Sequence, residues 1–512
     1  MHMLMLNNFT YYKEKMDKQP AREEGWNVGS EKFADINPEE WSITLHQESY
    51  SNSHEISEKE RKWLSSVENY PAIGSSEKPK IQMVPKMQRE SESNIRCYEP
   101  LVVALGPFHH GKSKLQPMEK YKVLLANQFA KESSKAKSVS IDALYTRVKD
   151  IVPSARDCYA EDITKYYSDV EFAKMMFLDG CFILQYIYCL VNSKSYKQLQ
   201  MKSHDIAFIR RDLFLLENQL PFEVLHVLMS CRFKKDEGMR MIKTFILSAH
   251  AKPDLQNHGI IQSVKYLFLD FFGKNSEEEE PSLTQEESSK NDQLPAHLLE
   301  ILRTQLIDPN AFSGGGCYLR GEWCSYRSAS ELSRAGIHFE CGKKRCLSDI
   351  KFNSFRFSAL LTLPPITIDD STKSELLNLV AYEACPDTPD DFGVTSYLCM
   401  MDSLIDHAED VKELRSKGIL LNFLGSDQEV ANLFNEIATD LVPNPHAFID
   451  VKHKIENHYN DKGKVWVAEW KNTHFDSPWT VVAFIAAIFL ILLQVADTVL
   501  AGFQVKFAEP PN

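Results

Sequence analysis

The longest uninterrupted apolar run in the chain is WTVVAFIAAIFLILLQVADTVLAGF, residues 479–503. From Trp479 to Leu493 it carries no charge and nothing more polar than Thr480. Carried on to Ala496 it covers 18 residues, roughly 27 Å of helix at about 1.5 Å per residue. That is close to the hydrocarbon thickness of a thinner bilayer. Asp497 falls near the far boundary, and Trp479 stands at the near one, where an amphipathic ring is favoured. The competing reading is a buried core helix. The pattern predicts one transmembrane helix over 479–503.

Upstream, apolar residues recur at three- and four-residue spacing through most of 142–231. Phe172, Met175, Met176, Phe182, Ile183, Tyr186, Ile187 and Leu190 make one broad stripe, which predicts helix. Residues 175–191 are nearly apolar enough for a second span, but Asp179, Gly180 and Gln185 interrupt them. Further helices are predicted at 56–70, 118–129, 205–219 (amphipathic, bounded by Pro221), 222–231, 238–249, 259–272 and 295–306. Ser328 with Glu331, Thr372 with Glu375, and Ser426 with Glu429 have the spacing of capping boxes. They predict three more helices, the first closed by Gly336, the second running through Ala384 and the third reaching about Leu441. A continuous helix over 395–416, closed by Gly418, is predicted between the last two. Residues 350–352 and 361–368 read as short strands, with the Pro364-Pro365 pair suiting a sheet edge. The fold class is mainly α with a small β element (α+β): a helical body followed by one C-terminal transmembrane helix.

Composition divides this body. Residues 274–293, KNSEEEEPSLTQEESSKNDQ, hold a single apolar residue, Leu283. They cannot bury enough surface to offset the entropy of ordering. The organisation expected is a poorly ordered acidic and polar extension (1–78), a helical N-terminal half (79–273) and an acidic linker (274–294). A C-terminal half with short strands (295–475), the transmembrane helix (479–503) and a short tail (504–512) follow. The stretch 313–327, SGGGCYLRGEWCSYR, reads as irregular.

A net charge of −13 argues against nucleic acid as a partner, because that needs a positive surface. The eleven cysteines are odd in number and dispersed, unlike a disulfide scaffold. Residues 3–6 are too short an apolar run for a signal-peptide core, and Asn8-Phe9-Thr10 is the only glycosylation sequon. Lys462, Lys464 and Lys471 precede the span, against Lys506 after it. The expectation is a tail-anchored, single-pass membrane protein with a reduced, cytosolic body.

Several motifs carry candidate chemistry. GPFHHGKS at 106–113 satisfies the phosphate-cradling pattern G-x-x-x-x-G-K-[ST], with Gly106, Gly111, Lys112 and Ser113 at the defining positions. Against it, Pro107 removes a backbone donor, Pro117 is placed to break the helix such a loop requires, and alternating strands and helices are missing. Residues 266–270, an apolar run ending in Asp270, suit an amphipathic helix better than a magnesium-binding strand. His109 and His110 would point to opposite faces of an extended chain, and His453 and His458 share a helical face poorly. Cys317, Cys324, Cys341 and Cys346 are spaced more loosely than most structural zinc sites. Ala483 and Ala487 form a small-xxx-small pair within the apolar run. No catalytic, cofactor or metal residue is assigned.

Taken in order, VPKMQRE, YEPLVVALGPFHHGK with MEKYK, FLDGCFIL, DLFLLENQLPFEVL, ASELSRAGIHF, LPPITIDDSTKSELLNLVAYE, TSYLCMMDSLIDHAEDVKELRSKGIL, NFLGSDQEVANLFN and NTHFDSPWTVVAFIAAIFL resemble the plant family known as domain of unknown function 247. The resemblance runs from about Ile81 to the end. Gly106, Pro107, His109, His110, Gly111 and Lys112 match its signature. Phe108 stands where tyrosine is usual, and Gln88 where leucine is usual. The resemblance implies a plant single-pass membrane protein without established enzymatic activity, and some members are encoded at grass self-incompatibility loci. It implies a protein-interaction or signalling component whose partners are the lipid bilayer and unidentified proteins. The alternative is a nucleotide-dependent enzyme using Gly106 to Ser113.

Overall fold

A computed structural model of the chain describes residues 57–68, 81–89, 93–249, 294–308, 327–474 apart from 357, 387 and 389, and 478–507. The expected N-terminal extension up to residue 56, with its sequon, lies outside these residues. So do the helix at 259–272, the 266–270 run, the acidic linker, nearly all of the irregular stretch at 313–327, Cys317 and Cys324. The chain divides into two compact units, 1–74 and 75–512. In the first, the described residues form the helix Glu58–Glu68. It opens on a reciprocal cap, with the Glu60 amide donating to Ser57 Oγ (3.3 Å) and the Ser57 amide to Glu60 Oε2 (2.7 Å).

The second unit begins as a helical bundle. We label its longer helices α1 (Gln116–Lys137), α2 (Ile141–Asp150), α3 (Asp169–Val191), α4 (Ser203–Asp212), α5 (Phe222–Arg232) and α6 (Glu237–Ala249). The pivot is α3, against which α1, α2, α5 and α6 pack. Ser168 and Glu171 cap it reciprocally, and Phe172, Met176, Phe182, Leu184 and Ile187 are fully buried. Its length and apolarity answer to a core, since residues all round it face protein. Its polar residues are matched inside the body. Gln185 accepts from Arg232 (2.5 Å), whose guanidinium lies 4.2 Å from the Tyr188 ring centre. Gly180 lets α5 approach, for a Cβ there would lie 2.6 Å from Leu228 Cδ1 and 3.1 Å from Val224 Cγ1.

One expected helix is shorter than its pattern suggests. The helix predicted over 205–219 ends at Asp212, and 213–221 becomes a buried turn. Asn218 Nδ2 donates to the Asp212 carbonyl (2.9 Å), while Gln219 Nε2 donates to those of Leu213 and Leu215 (both 2.8 Å). Side chains that compete for backbone groups stop the helix.

The C-terminal half contains α7 (Leu298–Leu306), α8 (Ala329–Arg334), β1 (Ile337–Cys341), β2 (Lys351–Ser354), β3 (Ala359–Leu363) and β4 (Ile366–Ile368). These lead to α9 (Thr372–Glu383), α10 (Gly393–Leu404), α11 (Ala408–Ser416), β5 (Leu420–Asn422), α12 (Asp427–Ile437), α13 (Ile449–Asn460) and α14 (Lys462–His474). The single strand predicted over 361–368 is two. β3 is the central strand of a sheet ordered β1-β3-β2, and β4 pairs in parallel with β5 in another. Pro364-Pro365 therefore links the two sheets and leads into β4, an edge strand with a partner on one side only. The helix predicted over 395–416 breaks at Ile405, because the amides of Asp406 and His407 both turn to Asp410 Oδ2 (3.2 and 3.1 Å). Ser328 and Ser426 cap α8 and α12 as expected. Thr372 does not cap α9; Asp369 Oδ1 instead receives the Ser371 amide (2.9 Å) and the hydroxyls of Ser371 and Thr372.

The halves of this unit share one core. Asn378 of α9 accepts from the Leu216 amide (2.8 Å) and donates to the Cys97 carbonyl (3.0 Å). The Phe222 amide donates to Ala296 O (2.7 Å). The architecture is mainly α with a small β element, and it ends in α15, Pro478–Phe507, a C-terminal apolar helix.

Gly180→Val should be destabilising by about 1–3 kcal/mol, the usual cost of overpacking a core. Urea unfolding followed by circular dichroism measures it. Wild-type stability in this variant would contradict the close α3–α5 contact.

Candidate functional site

The signature segment, residues 101–111, is neither helix nor strand, so its buried amides need partners from elsewhere. Asp212 at the end of α4 supplies most of them. It accepts from the amides of Leu101 (2.9 Å), Val102 (2.8 Å) and Val103 (3.1 Å). Asn218 Oδ1 takes the Leu105 amide (2.7 Å), and Asp179 Oδ2 takes that of Gly106 (3.0 Å). Both carboxylates are about as buried as a side chain can be, at 1 % exposure for Asp179 and 0 % for Asp212. Burial pushes each upward from the usual carboxylate range, opposed at Asp179 by Lys122 and at Asp212 by the three amides and Arg211. Lys122 Nζ lies 2.7 Å from Asp179 and 2.9 Å from Glu119. For Lys122, burial favours the neutral amine, but the two carboxylates outweigh it and hold the group charged.

The turn itself uses both glycines. Gly106 has φ +67° and Gly111 φ +82°. A Cβ on Gly106 would lie 2.9 Å from both the Gln219 carbonyl and the Tyr159 hydroxyl, whereas one on Gly111 meets nothing within 4 Å. Phe108 stacks edge-on with Tyr159. The two histidines diverge, His110 against the Tyr167 ring and His109 inward at 2 % exposure. Lys112 Nζ sits 2.8 Å from His109 Nδ1 and 2.8 Å from Glu99 Oε2. His109 Nε2 lies 3.7 Å from Glu217 Oε2 and has no hydrogen-bond partner among the described residues. Glu217 also receives Arg89 (2.5 Å) and the Val84 amide (2.9 Å), which brings the VPKMQRE block into the same cluster. Burial first, then the Lys112 charge, lowers the His109 imidazole to about 4, so it is neutral near neutral pH.

This geometry departs from a phosphate cradle. In a cradle, backbone N–H groups and a lysine face an anion at the start of a helix. Here the Gly106 amide faces Asp179, and Lys112 is engaged by Glu99 and His109. Ser113–Leu115 is a 3₁₀ turn and α1 starts only at Gln116, so the helix such a loop requires at Lys112-Ser113 does not form, and Pro117 sits in the first turn of α1. The run 101–105 is no strand. An anion would meet two carboxylates.

Other candidates give little chemistry. No group of three His, Cys, Asp or Glu side chains within metal-binding reach occurs among the described residues. His458 is buried against the Ala335 carbonyl, 3.3 Å away. Cys341 and Cys346 are half-buried, with Cys346 Sγ 2.9 Å from the Ser348 hydroxyl. A concavity of about 590 Å³ in the C-terminal half is lined by residues that include Arg327, Glu331, Cys399, Asp402 and Asp406. Burial and Asp402 push the Cys399 thiol up to about 11, so it offers no ready thiolate.

The sequence pattern left Asp212, Glu217, Asn218 and Gln219 within an amphipathic helix and did not mark them as partners of this segment. The signal was present in DLFLLENQLPF, where Leu213, Phe214, Leu215 and Leu216 are consecutive and leave no polar face.

The fold and this loop define a class: a helical body clasped around a glycine turn by internal carboxylates, with an apolar C-terminal helix. A model of the plant protein family of unknown function DUF247 matches residues 81–493, and the chain belongs to that family. The UPF0481 protein At3g47200 of Arabidopsis thaliana is 28 % identical over 432 residues, covering 80 % of this chain and 83 % of its own. The putative UPF0481 protein At3g02645 of the same plant is 23 % identical over 461 residues, covering 77 % and 85 %. No solved structure matches.

Two outcomes test this site. Gly111→Ala should be destabilising by about 1–2 kcal/mol, the left-handed backbone penalty alone. Gly106→Ala should cost clearly more, since the added methyl also strikes a carbonyl; equal losses in urea unfolding would contradict the close approach. The second outcome is a pH dependence. The folded His109 pKa lies below the unfolded value near 6.5, so from pH 6.5 down to about 4 the unfolded chain binds more protons and stability falls. His109→Gln should flatten the stability profile in that window relative to wild type, and parallel profiles would contradict the buried neutral imidazole.

Proposed function

We propose that this chain is a single-pass, membrane-anchored protein that acts by interaction or signalling without catalysis, its body on the cytosolic side. The observation that carries the reading is the environment of α15. Residues 482–500 are apolar enough and long enough to cross a bilayer, and none of that stretch is buried in the body. The contrast is with 169–191, which passes the same test of length and composition but is 72 % buried. In water, an exposed and largely apolar stretch of 19 residues on one helix would be a severe aggregation liability; a bilayer removes it. Trp479 is exposed at the helix start and Trp470 packs edge-on against Phe484, the placement favoured for membrane-interface anchors. The lysines at 462, 464 and 471, against Lys506, favour a cytosolic body. An interaction role is supported by the signature loop, whose Lys112 and Gly106 amide are engaged internally. The loop then serves to brace a scaffold.

Full-length protein expressed in plant cells should stay with the membrane pellet through alkaline carbonate washing, and a chain ended at Asp476 should move to the supernatant. Carbonate resistance of the shortened chain would contradict the anchor. For orientation, a sequon engineered within 274–293 should stay unmodified and one appended after Asn512 should be glycosylated; the reverse pattern would place the body outside the cytosol.

A further inference from the structure

Helix α15 is not uniform around its circumference. At about 100° per residue, Ala483, Ala487, Leu490, Gln494, Asp497 and Thr498 fall on one strip roughly 100° wide. The bulky residues Phe484, Ile488, Phe489, Leu492 and Val495 occupy the remainder. All three polar residues of 482–500 lie on the strip. Thr498 satisfies its hydroxyl on the Gln494 carbonyl, 2.7 Å away. The side chains of Gln494 and Asp497 have no hydrogen bond or ion pair among the described residues, and both are exposed.

Asp497 lies inside the 482–500 stretch, three residues from its end. The backbone stays helical to Phe507, and the sequence TVLAGFQV separates Asp497 from Lys506, the next charge. Nine residues of helix place that lysine roughly 13 Å further along the axis. A carboxylate inside the apolar stretch costs free energy unless paired, less near its end than at its centre, and an intramembrane acid is by default a site with a cationic counterpart. The near end of the strip suits a helical neighbour, because Ala483 and Ala487, small residues at four-residue spacing, let backbones approach closely.

We infer that this strip docks the transmembrane helix of a different protein, one that carries a lysine or arginine at the depth of Asp497. The inference rests on the membrane-span reading above. Charge decides the occupant. A second parallel copy of this chain would set Asp497 against Asp497, a like-charge contact that disfavours the pairing. A basic residue neutralises the carboxylate, and the amide of Gln494 one turn away can hydrogen-bond the same neighbour.

The test reconstitutes full-length protein, carrying a fluorescent donor on its body, into phosphatidylcholine vesicles with acceptor-labelled transmembrane peptides. The peptides are a leucine-rich helix with one lysine at matching depth, the same helix with leucine there, and the same with glutamate. The lysine peptide should give association on the order of tenfold above the leucine peptide, the range of a polar interhelical contact. Asp497→Asn should bring that down to the leucine level, and Asp497→Lys should transfer the preference to the glutamate peptide. Equal association of lysine and leucine peptides, with the protein floating with carbonate-washed vesicles, would overturn the docking site alone. Self-association of the full chain that survives Asp497→Lys would assign the strip to a second copy and overturn it too. Protein that fails to float would overturn the membrane-span reading, and the docking site with it.

Discussion

A single carboxylate, Asp212, sets the conditions for the N-terminal half of the body. It receives the amides of three successive residues, Leu101 to Val103. Without it, a buried segment that is neither helix nor strand would leave donors unsatisfied at about 1–3 kcal/mol each. The same segment then depends on Asn218 and Asp179, Asp179 depends on Lys122, and Lys122 on Glu119. FLDG on α3, DLFLLENQLPF after α4 and the glycine turn are therefore parts of one polar structure. Each part would be expensive to bury without the others.

That interdependence explains what the sequence revealed and what it concealed. Periodic stretches such as 118–129 within α1 and 172–190 within α3 were legible because burial against a core imposes a helical period on apolar residues. Breaks were not legible where they depend on a distant side chain. The helix after Thr395 stops because Asp410 captures two amides ahead of α11, and the strand around Pro364 divides because its halves pair in different sheets. The candidate site suffered in the same way. Gly106 and Gly111 stood out as turn glycines, but nothing local to 106–113 says that the group facing the Gly106 amide is Asp179, 73 residues away. Periodicity reports the side of an element that is apolar; it carries no information on which polar residue will be buried as a partner.

The two apolar helices make the same point from the other direction. By composition α3 and α15 both qualify as spans. On α3, Asp179 and Gln185 meet Lys122 and Arg232, so its polar interruptions are internal to the body. On α15, Gln494 and Asp497 meet no partner among the described residues, and the apolar surface is open. Polar groups matched inside the body mark α3 as a core helix, and α15 has no such matches among the described residues.

The clasp itself is the central claim, and amide hydrogen exchange on the full-length protein in detergent tests it most directly. If the amides of Leu101, Val102, Val103, Leu105 and Gly106 are held by buried carboxyl and amide oxygens, they should exchange only with global unfolding, as slowly as the core of α3. Millimolar Mg-ATP should leave them unchanged. Rapid exchange of these amides without nucleotide, slowed when Mg-ATP is added, would contradict the account and make the glycine turn a phosphate site.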